Sequence, residues 1–124
     1  SALEALDKRE EARAAYRAAT ERWPDVPLAW LGLGNTEYAL GRATQAEAAF
    51  RRAVHVQPGS APAWNNLAYA LAARHCIRPA REAARCAQRI APENEAFTHT
   101  LKEMQSQPMP ATEACSPLPA CPAD

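Results

Sequence analysis

Four cysteines have the widest chemical range in this chain, because a thiol can form a disulfide, bind a metal or act as a nucleophile. The four are Cys76, Cys86, Cys115 and Cys121, and an even set of this size permits three disulfide connectivities. A bond between Cys76 and Cys86 is unfavourable. The helix that we expect from Pro79 to Cys86 rises about 11 Å, whereas bridged Cα atoms lie within about 7 Å.

The last two cysteines lie in a proline-rich tail, residues 106–124, which holds five of the eleven prolines and has no helical period. This composition favours extended or disordered chain. We expect the tail to fold back and join Cys115 and Cys121 to Cys76 and Cys86; a bond within the tail and free thiols are the alternatives. Tail-to-helix bonds predict a periplasmic or secreted protein, and free thiols predict a cytoplasmic one.

Metal binding and catalysis are not expected from these residues. The cysteines lack the close paired spacing of zinc ribbons, and no histidine pair completes a site. His75 and Cys76 are adjacent in sequence, and adjacent side chains rarely face one another as a base and a nucleophile must. We therefore predict no enzyme activity, no metal site and no cofactor.

The composition indicates what must position these side chains: a single all-helical domain. Hydrophobic residues make up 48% of the 124 residues but aromatics only 6%, so the apolar share is largely alanine, the best helix former. Fourteen basic residues balance fourteen acidic ones, which gives no electrostatic reason to expect nucleic acid or an anionic membrane. No apolar run approaches the roughly 18 residues of a membrane span.

The chain is self-similar at a spacing of 34 residues, which is typical of stacked helix-turn-helix units. The residues that recur at this spacing are Pro24, Pro58 and Pro92; Ala12, Ala46 and Ala80; Ala19, Ala53 and Ala87; Trp30 and Trp64; Leu33 and Leu67; Gly34 and Ala68; and Tyr16 and Phe50. Large side chains alternate with small ones in this set, as closely packed helices require.

In these residues the sequence resembles the tetratricopeptide repeat family. Residues 27–60 carry the family's pattern except that Glu37 stands where a tyrosine is usual, and residues 61–94 carry it except that Ala84 replaces a large aromatic residue. The resemblance implies an all-α fold, a right-handed superhelical stack of antiparallel helix hairpins. Its domain comprises residues 1–105: a partial repeat (1–26), two repeats (27–60 and 61–94) and a carboxy-terminal capping helix (95–105), followed by the tail (106–124).

Apolar periodicity and the positions of the prolines predict where the helices lie. The predicted helices are 2–6, 10–22, 27–40, 43–56, 61–73, 78–90 and 94–105. Phe97, Leu101 and Met104 share one stripe of the last helix. The missing aromatic side chain at Ala84 would leave room for a tail residue such as Leu118.

The resemblance also implies a ligand-binding groove on the concave face. The family's groove positions correspond here to Leu31, Asn35, Tyr38, Asn65, Asn66, Tyr69 and His99. Asparagine can grip a peptide backbone because its amide both donates and accepts hydrogen bonds. The competing interpretation is that these residues are solvated or pack within the stack. The lysines with which some family members clamp a terminal carboxylate are absent, since Leu31, Asn65 and His99 occupy that position.

Three functions remain open at this point. The first is a scaffold that binds a protein or peptide through the concave face. The second is an accessory domain of a larger secreted or periplasmic bacterial enzyme, because the sequence loosely resembles repeat regions attached to papain-like cysteine peptidases. The third is self-association through the open amino-terminal face. The chain begins at Ser1 rather than methionine, as a processed chain or a piece of a longer one would.

Overall fold

The computed structural model describes residues 1–124 and contains six helices and no strands, which confirms the all-α hairpin stack. The helices are α1 (Ala2–Arg22), α2 (Pro27–Ala39), α3 (Ala43–Val56), α4 (Ala61–Ala73), α5 (Ile77–Ile90) and α6 (Glu95–Ser106). Each helix packs against its neighbours in sequence, and α4 also contacts α6. From α2 onward the helix ends lie within one residue of the predicted ones.

The prediction of two helices at 2–6 and 10–22 was wrong, because α1 runs unbroken through both. Residues 7–9 contain neither glycine nor proline, so nothing local ends the helix there. Its start is fixed by a capping box in which the Ser1 hydroxyl and the Glu4 carboxylate bond each other's backbone N–H groups. The first half of α1 lies beyond the stack and leaves Leu3 and Leu6 exposed.

The recurring tryptophans and prolines form one hydrogen bond twice. The indole Nε1 of Trp30 donates to the carbonyl oxygen of Pro24 at 2.8 Å, and that of Trp64 donates to Pro58 at 2.7 Å. In each case the proline follows the end of one helix (α1 or α3), and the tryptophan lies in the first turn of the next (α2 or α4). The bond therefore ties consecutive hairpins together and satisfies a backbone carbonyl of the turn between them.

Glycine lets two helices approach closely at Gly34. A Cβ atom at this position would lie 2.4 Å from Cε1 of Phe50, so the α3 ring occupies the space that a side chain on α2 would need. One repeat later the pair is Ala68 and Ala84, both fully buried. A larger residue on α4 (Ala68) thus accompanies a smaller one on α5 (Ala84), which preserves the packing volume.

The turns between the helices of each repeat use a left-handed backbone conformation at equivalent positions. Gly41 has φ +77° and His75, 34 residues later, has φ +62°. Glycine adopts this conformation without steric cost, whereas a residue with a Cβ does so at some expense.

Glu37, the departure from the family's usual tyrosine, is buried and paired with two arginines. Its Oε1 accepts a hydrogen bond from Arg13 Nε at 2.8 Å and lies 3.1 Å from Arg42 Nε. Arg13 comes from α1, so the carboxylate links α1 to the end of α2. Burying a charge requires such partners, and here the ion pairs take the place of an aromatic contact.

The capping helix α6 closes the stack with the predicted stripe. Phe97 and Met104 are buried and Leu101 packs against the same core. At the end of α6, Arg81 of α5 donates hydrogen bonds to the carbonyl oxygens of Met104, Gln105 and Gln107 at 2.8–3.0 Å. The guanidinium group thereby caps the helix and fixes where the tail begins.

Candidate functional site: a groove along the inner helices

Two adjoining cavities form a groove on the face of α2 and α4. The larger, about 450 Å³, is lined by residues of α1, α2 and α4, including Tyr16, Leu28 and Leu31. The smaller, about 260 Å³, is lined by Asn35, Tyr38, Ala39, Phe50, Asn66 and Tyr69. Asn35 and Asn66 line both, so the cavities are parts of one groove. We call α2, α4 and α6 the inner helices and α3 and α5 the outer helices.

The inner helices are joined by polar contacts that repeat with the 34-residue period. Asn66 Nδ2 donates to Asn35 Oδ1 at 2.9 Å, and the Tyr69 hydroxyl lies 3.2 Å from Thr100 Oγ1. Asn35 and Tyr69 are equivalent positions, as are Asn66 and Thr100. These groove residues therefore also hold the stack together, so the packing interpretation applies to them as well.

Tyr69 continues this network to the last inner helix. Its hydroxyl donates to Glu103 Oε1 at 3.0 Å, and His99 Nε2 lies 2.9 Å from the same oxygen. Burial raises the pKa of Tyr69 above its ordinary value of 10.0; the Thr100 hydroxyl opposes the increase and the Glu103 carboxylate adds to it. Tyr69 therefore remains a neutral donor throughout the physiological range.

Two of the seven residues expected in the groove line neither cavity. The side-chain oxygen of Asn65 is buried with no hydrogen-bond partner. His99 is largely exposed on α6, where its only polar side-chain partner is Glu103. Leu31, Asn35, Tyr38, Asn66 and Tyr69 all line one cavity or both.

The repeat pattern predicts Tyr16 and Phe50 to be packing residues; Phe50 is in the core, 1% exposed, whereas Tyr16 is 39% exposed, and both also line the groove. A Cβ atom at Gly32 would lie 2.1 Å from Cε1 of Tyr16, just as one at Gly34 would meet Phe50. Both rings therefore reach the inner face over a glycine of α2. The signal was present in the sequence as a glycine paired with an aromatic residue of the preceding or following helix.

The tail lies against the outer helices. Cys115 is bonded to Cys76 and Cys121 to Cys86, with Cα–Cα distances of 6.1 and 5.7 Å, and no cysteine is free. Arg51 of α3 donates to the carbonyl oxygens of Pro117 and Ser116 at 2.9 and 2.8 Å. The groove on the inner helices is consequently left uncovered by the tail.

The two cavities beside the tail do not reach Ala84, although Leu118 packs against the core cluster to which Ala84 belongs. Leu118 packs at the edge of the core and lines two cavities of about 370 and about 300 Å³, which lie between the tail and α5. Glu82 lines both of them, whereas Ala84 lines neither. Residues 82 and 84 point to different sides of a helix, because successive residues are about 100° apart. Ala84 is instead buried among the helices.

No group of three or more histidine, cysteine or acidic side chains is placed to hold a metal ion. None of the six helices combines the length and the apolar character needed to cross a bilayer.

Helical hairpins repeating every 34 residues around an open groove define a helical-repeat protein, and the comparisons give its family. The family model for the tetratricopeptide repeat matches residues 1–61 and residues 33–95. The chain therefore belongs to the tetratricopeptide repeat family, whose fold generally serves protein interaction rather than catalysis.

Several solved structures match this chain, and one of them shares its fold at low sequence identity. It is the first TPR of Spaghetti (RPAP3) bound to the HSP90 peptide SRMEEVD, with a TM-score of 0.76 and 19% identity over 80% of this chain and 79% of that one. A comparison with curated proteins gives no match.

Proposed function

We propose that this chain is a scaffold that binds an extended segment of a partner protein along the groove of the inner helices. The carrying observation is the asymmetry of the stack: the tail occupies the outer helices, while the groove keeps Leu28 74% and Tyr38 38% exposed. Apolar side chains left uncovered in a concave surface are typical of binding sites. The related fold in the first TPR of Spaghetti, which binds a peptide, supports this use.

The partner of this groove differs in chemistry from an acidic carboxyl-terminal peptide. The residues at the clamp position are Leu31, Asn65 and His99, which offer no lysine to a carboxylate. Leu28 and Leu31 offer apolar contact instead, and the asparagine amides offer hydrogen bonds to a peptide backbone. We therefore expect the groove to hold the ligand by side-chain burial and backbone hydrogen bonds.

The experiment that tests this proposal compares two double variants in selections from a random peptide display library. Leu28→Ser/Tyr38→Ser alters both cavities of the groove, and Leu3→Ser/Leu6→Ser alters equally exposed apolar residues of α1. Leu3 is 72% exposed, and Leu3 and Leu28 are each the second residue of a helix, so the pair is closely matched. Burying one leucine contributes about 1.5–3 kcal/mol.

We expect peptides selected on the native chain to bind the groove variant at least tenfold more weakly and the α1 variant with unchanged affinity. Circular dichroism and thermal unfolding establish that both variants are folded. Equal affinity for all three proteins, or no enrichment on the native chain, would overturn the proposal.

Self-association is a second candidate function, which the exposed Leu3 and Leu6 favour. They lie on the half of α1 that extends beyond the stack, so a second copy could cover them. Sedimentation of the native chain at twice its 13.5 kDa mass, returning to a single mass in Leu3→Ser/Leu6→Ser, would support it. A single mass at high concentration would reject it.

The two disulfides support a periplasmic or secreted location, because such bonds persist in oxidising compartments. An accessory domain of a larger secreted bacterial enzyme would work in the same compartment. Alkylation of the protein directly in its source, followed by mass spectrometry, tests the location: four alkylated cysteines would place it in a reducing compartment.

A further inference from the structure

Three aromatic rings wall the smaller cavity of the groove. Tyr38 comes from α2, Phe50 from α3 and Tyr69 from α4, and we call the cavity between them the aromatic pocket. Its volume of about 260 Å³ is below the ~300–1,000 Å³ of pockets that take a whole small molecule. The size therefore fits one side chain of a bound peptide.

The groups around the aromatic pocket favour a positively charged ligand. Neither cavity of the groove is lined by lysine or arginine. The carboxylate of Glu103 accepts the hydrogen bond of the Tyr69 hydroxyl through Oε1, which also lies 2.9 Å from His99 Nε2. Its Oε2 bonds no other group of the chain. Aromatic faces also carry negative charge density, and a carboxylate on the phenol hydroxyl increases it, so the pocket attracts positive groups.

We propose that the aromatic pocket binds an arginine or lysine side chain of the partner, an inference that rests on the proposed peptide-binding function. The cationic head stacks against the rings of Tyr38 and Tyr69 and is attracted by Glu103. The aliphatic stem of the same side chain packs against Ala39, which is exposed, as long basic side chains do on apolar surface. An acidic side chain would meet the carboxylate of Glu103, whose one close basic neighbour is the largely exposed His99.

The chain already forms this type of contact within itself. The guanidinium carbon of Arg52 lies 5.2 Å from the ring centre of Trp30, and that of Arg22 lies 5.1 Å from the ring centre of Trp23. Both distances are within the ~6 Å over which a cation and an aromatic face attract one another. In the aromatic pocket the rings are available but no cation of the chain reaches them.

The test uses an immobilised array of short peptides with random flanks and one fixed central residue. The central residue is arginine, citrulline, norleucine or glutamate, and the probe protein is the full oxidised chain. Citrulline keeps the shape of arginine without its charge, and norleucine represents a purely apolar occupant. We expect arginine peptides to bind about tenfold more tightly than citrulline peptides, within the range for a cation on desolvated rings.

Two variants locate the preference. Glu103→Gln keeps an acceptor for Tyr69 and removes the charge, so it should lower the ratio of arginine to citrulline binding at least threefold without changing citrulline binding. Glu93→Gln is the control, because Glu93 is an exposed carboxylate in the turn before α6 with no ion pair. It should leave the ratio unchanged.

The outcomes separate this inference from the function on which it rests. Equal binding of arginine and citrulline peptides, or tighter binding of norleucine or glutamate peptides, overturns the cationic ligand and leaves the groove intact. An arginine preference that Glu103→Gln does not reduce also overturns it. Binding to no peptide class above that of Leu28→Ser/Tyr38→Ser overturns the groove function, and the inference with it.

Discussion

Replacing Cys76 and Cys115 by alanine removes one of the two covalent links between the tail and α5. The other link, between Cys86 and Cys121, continues to hold the tail on the outer helices. The contacts of Arg51 with Ser116 and Pro117 are then retained between two attached regions. The loss of stability therefore reports mainly the constraint that the removed bond places on the unfolded chain.

The magnitude follows from the ring that this bond closes. With Cys86 and Cys121 already joined, the bond from Cys76 to Cys115 closes a ring made of residues 76–86 and 115–121, about 18 residues. Closing a ring of this size stabilises the folded state by about 3 kcal/mol in the chain-entropy treatment. For a chain of 124 residues this corresponds to a decrease in Tm of about 10 °C.

Thermal and urea unfolding of the oxidised native chain and the double variant measure this loss. Cys115→Ala alone is the companion variant, because it breaks the same bond and leaves the buried Cys76 sulfur in the core, which separates the cross-link from packing. A change in Tm below about 2 °C in both variants would refute the reasoning, because it would show that this disulfide places no measurable constraint on the unfolded chain. Alkylation of the unreduced native chain should modify no cysteine.

Three further changes test the packing and the backbone. Gly34→Ala should destabilise the fold by about 1–3 kcal/mol, because the new Cβ would lie 2.4 Å from Phe50. Gly59→Ala is the control, because a Cβ at Gly59 would have no atom within 4 Å. Equal unfolding midpoints for the two variants would contradict the close packing at Gly34. His75→Gly should raise stability by up to about 1 kcal/mol in urea unfolding, because φ is +62° there; a loss would show that the imidazole forms a stabilising contact. Tyr69 should be the last tyrosine to ionise in a spectroscopic titration, because its pKa is raised above 10.0. The pKa of Tyr69 is higher in the folded than in the unfolded chain. The contribution of Tyr69 to stability is therefore complete below pH 10.0 and is lost as the pH rises through the pKa of the folded state. Tyr69→Phe should abolish that last step, and an unchanged titration would reject the assignment.

Residues that act within one or two turns made the fold predictable. Pro24 and Pro58 end helices, Trp30 and Trp64 begin the next hairpins, and the spacing of 34 residues is visible without coordinates. The structure adds the bond that joins each pair. The wrong prediction of a break in α1 is also explained by local residues. None of the residues between the two predicted helices disfavours a helix, but the prediction followed the repeat pattern instead of this local preference.

The groove was only partly predictable, because a side chain of one helix can reach the face of another. Phe50 belongs to an outer helix by its spacing, yet its ring reaches the inner face across Gly34. Asn65 has the same amide as Asn66, yet it turns away from both cavities. One residue along a helix changes the direction of a side chain by about 100°, so neighbouring candidates separate only once the stack is assembled.

The sequence by itself determined the helices, their repeat and the side chains that a groove could use, because helix formation and helix ends depend on nearby residues. It left open which tail cysteine meets Cys76 and which meets Cys86, since residues 106–124 have no period from which a path could be derived. The tertiary structure decided that Cys115 meets Cys76, that Cys121 meets Cys86, and that the tail covers the outer helices rather than the groove. Which residues of such a segment meet depends on contacts with helices far away in sequence, and those contacts exist only in the folded chain.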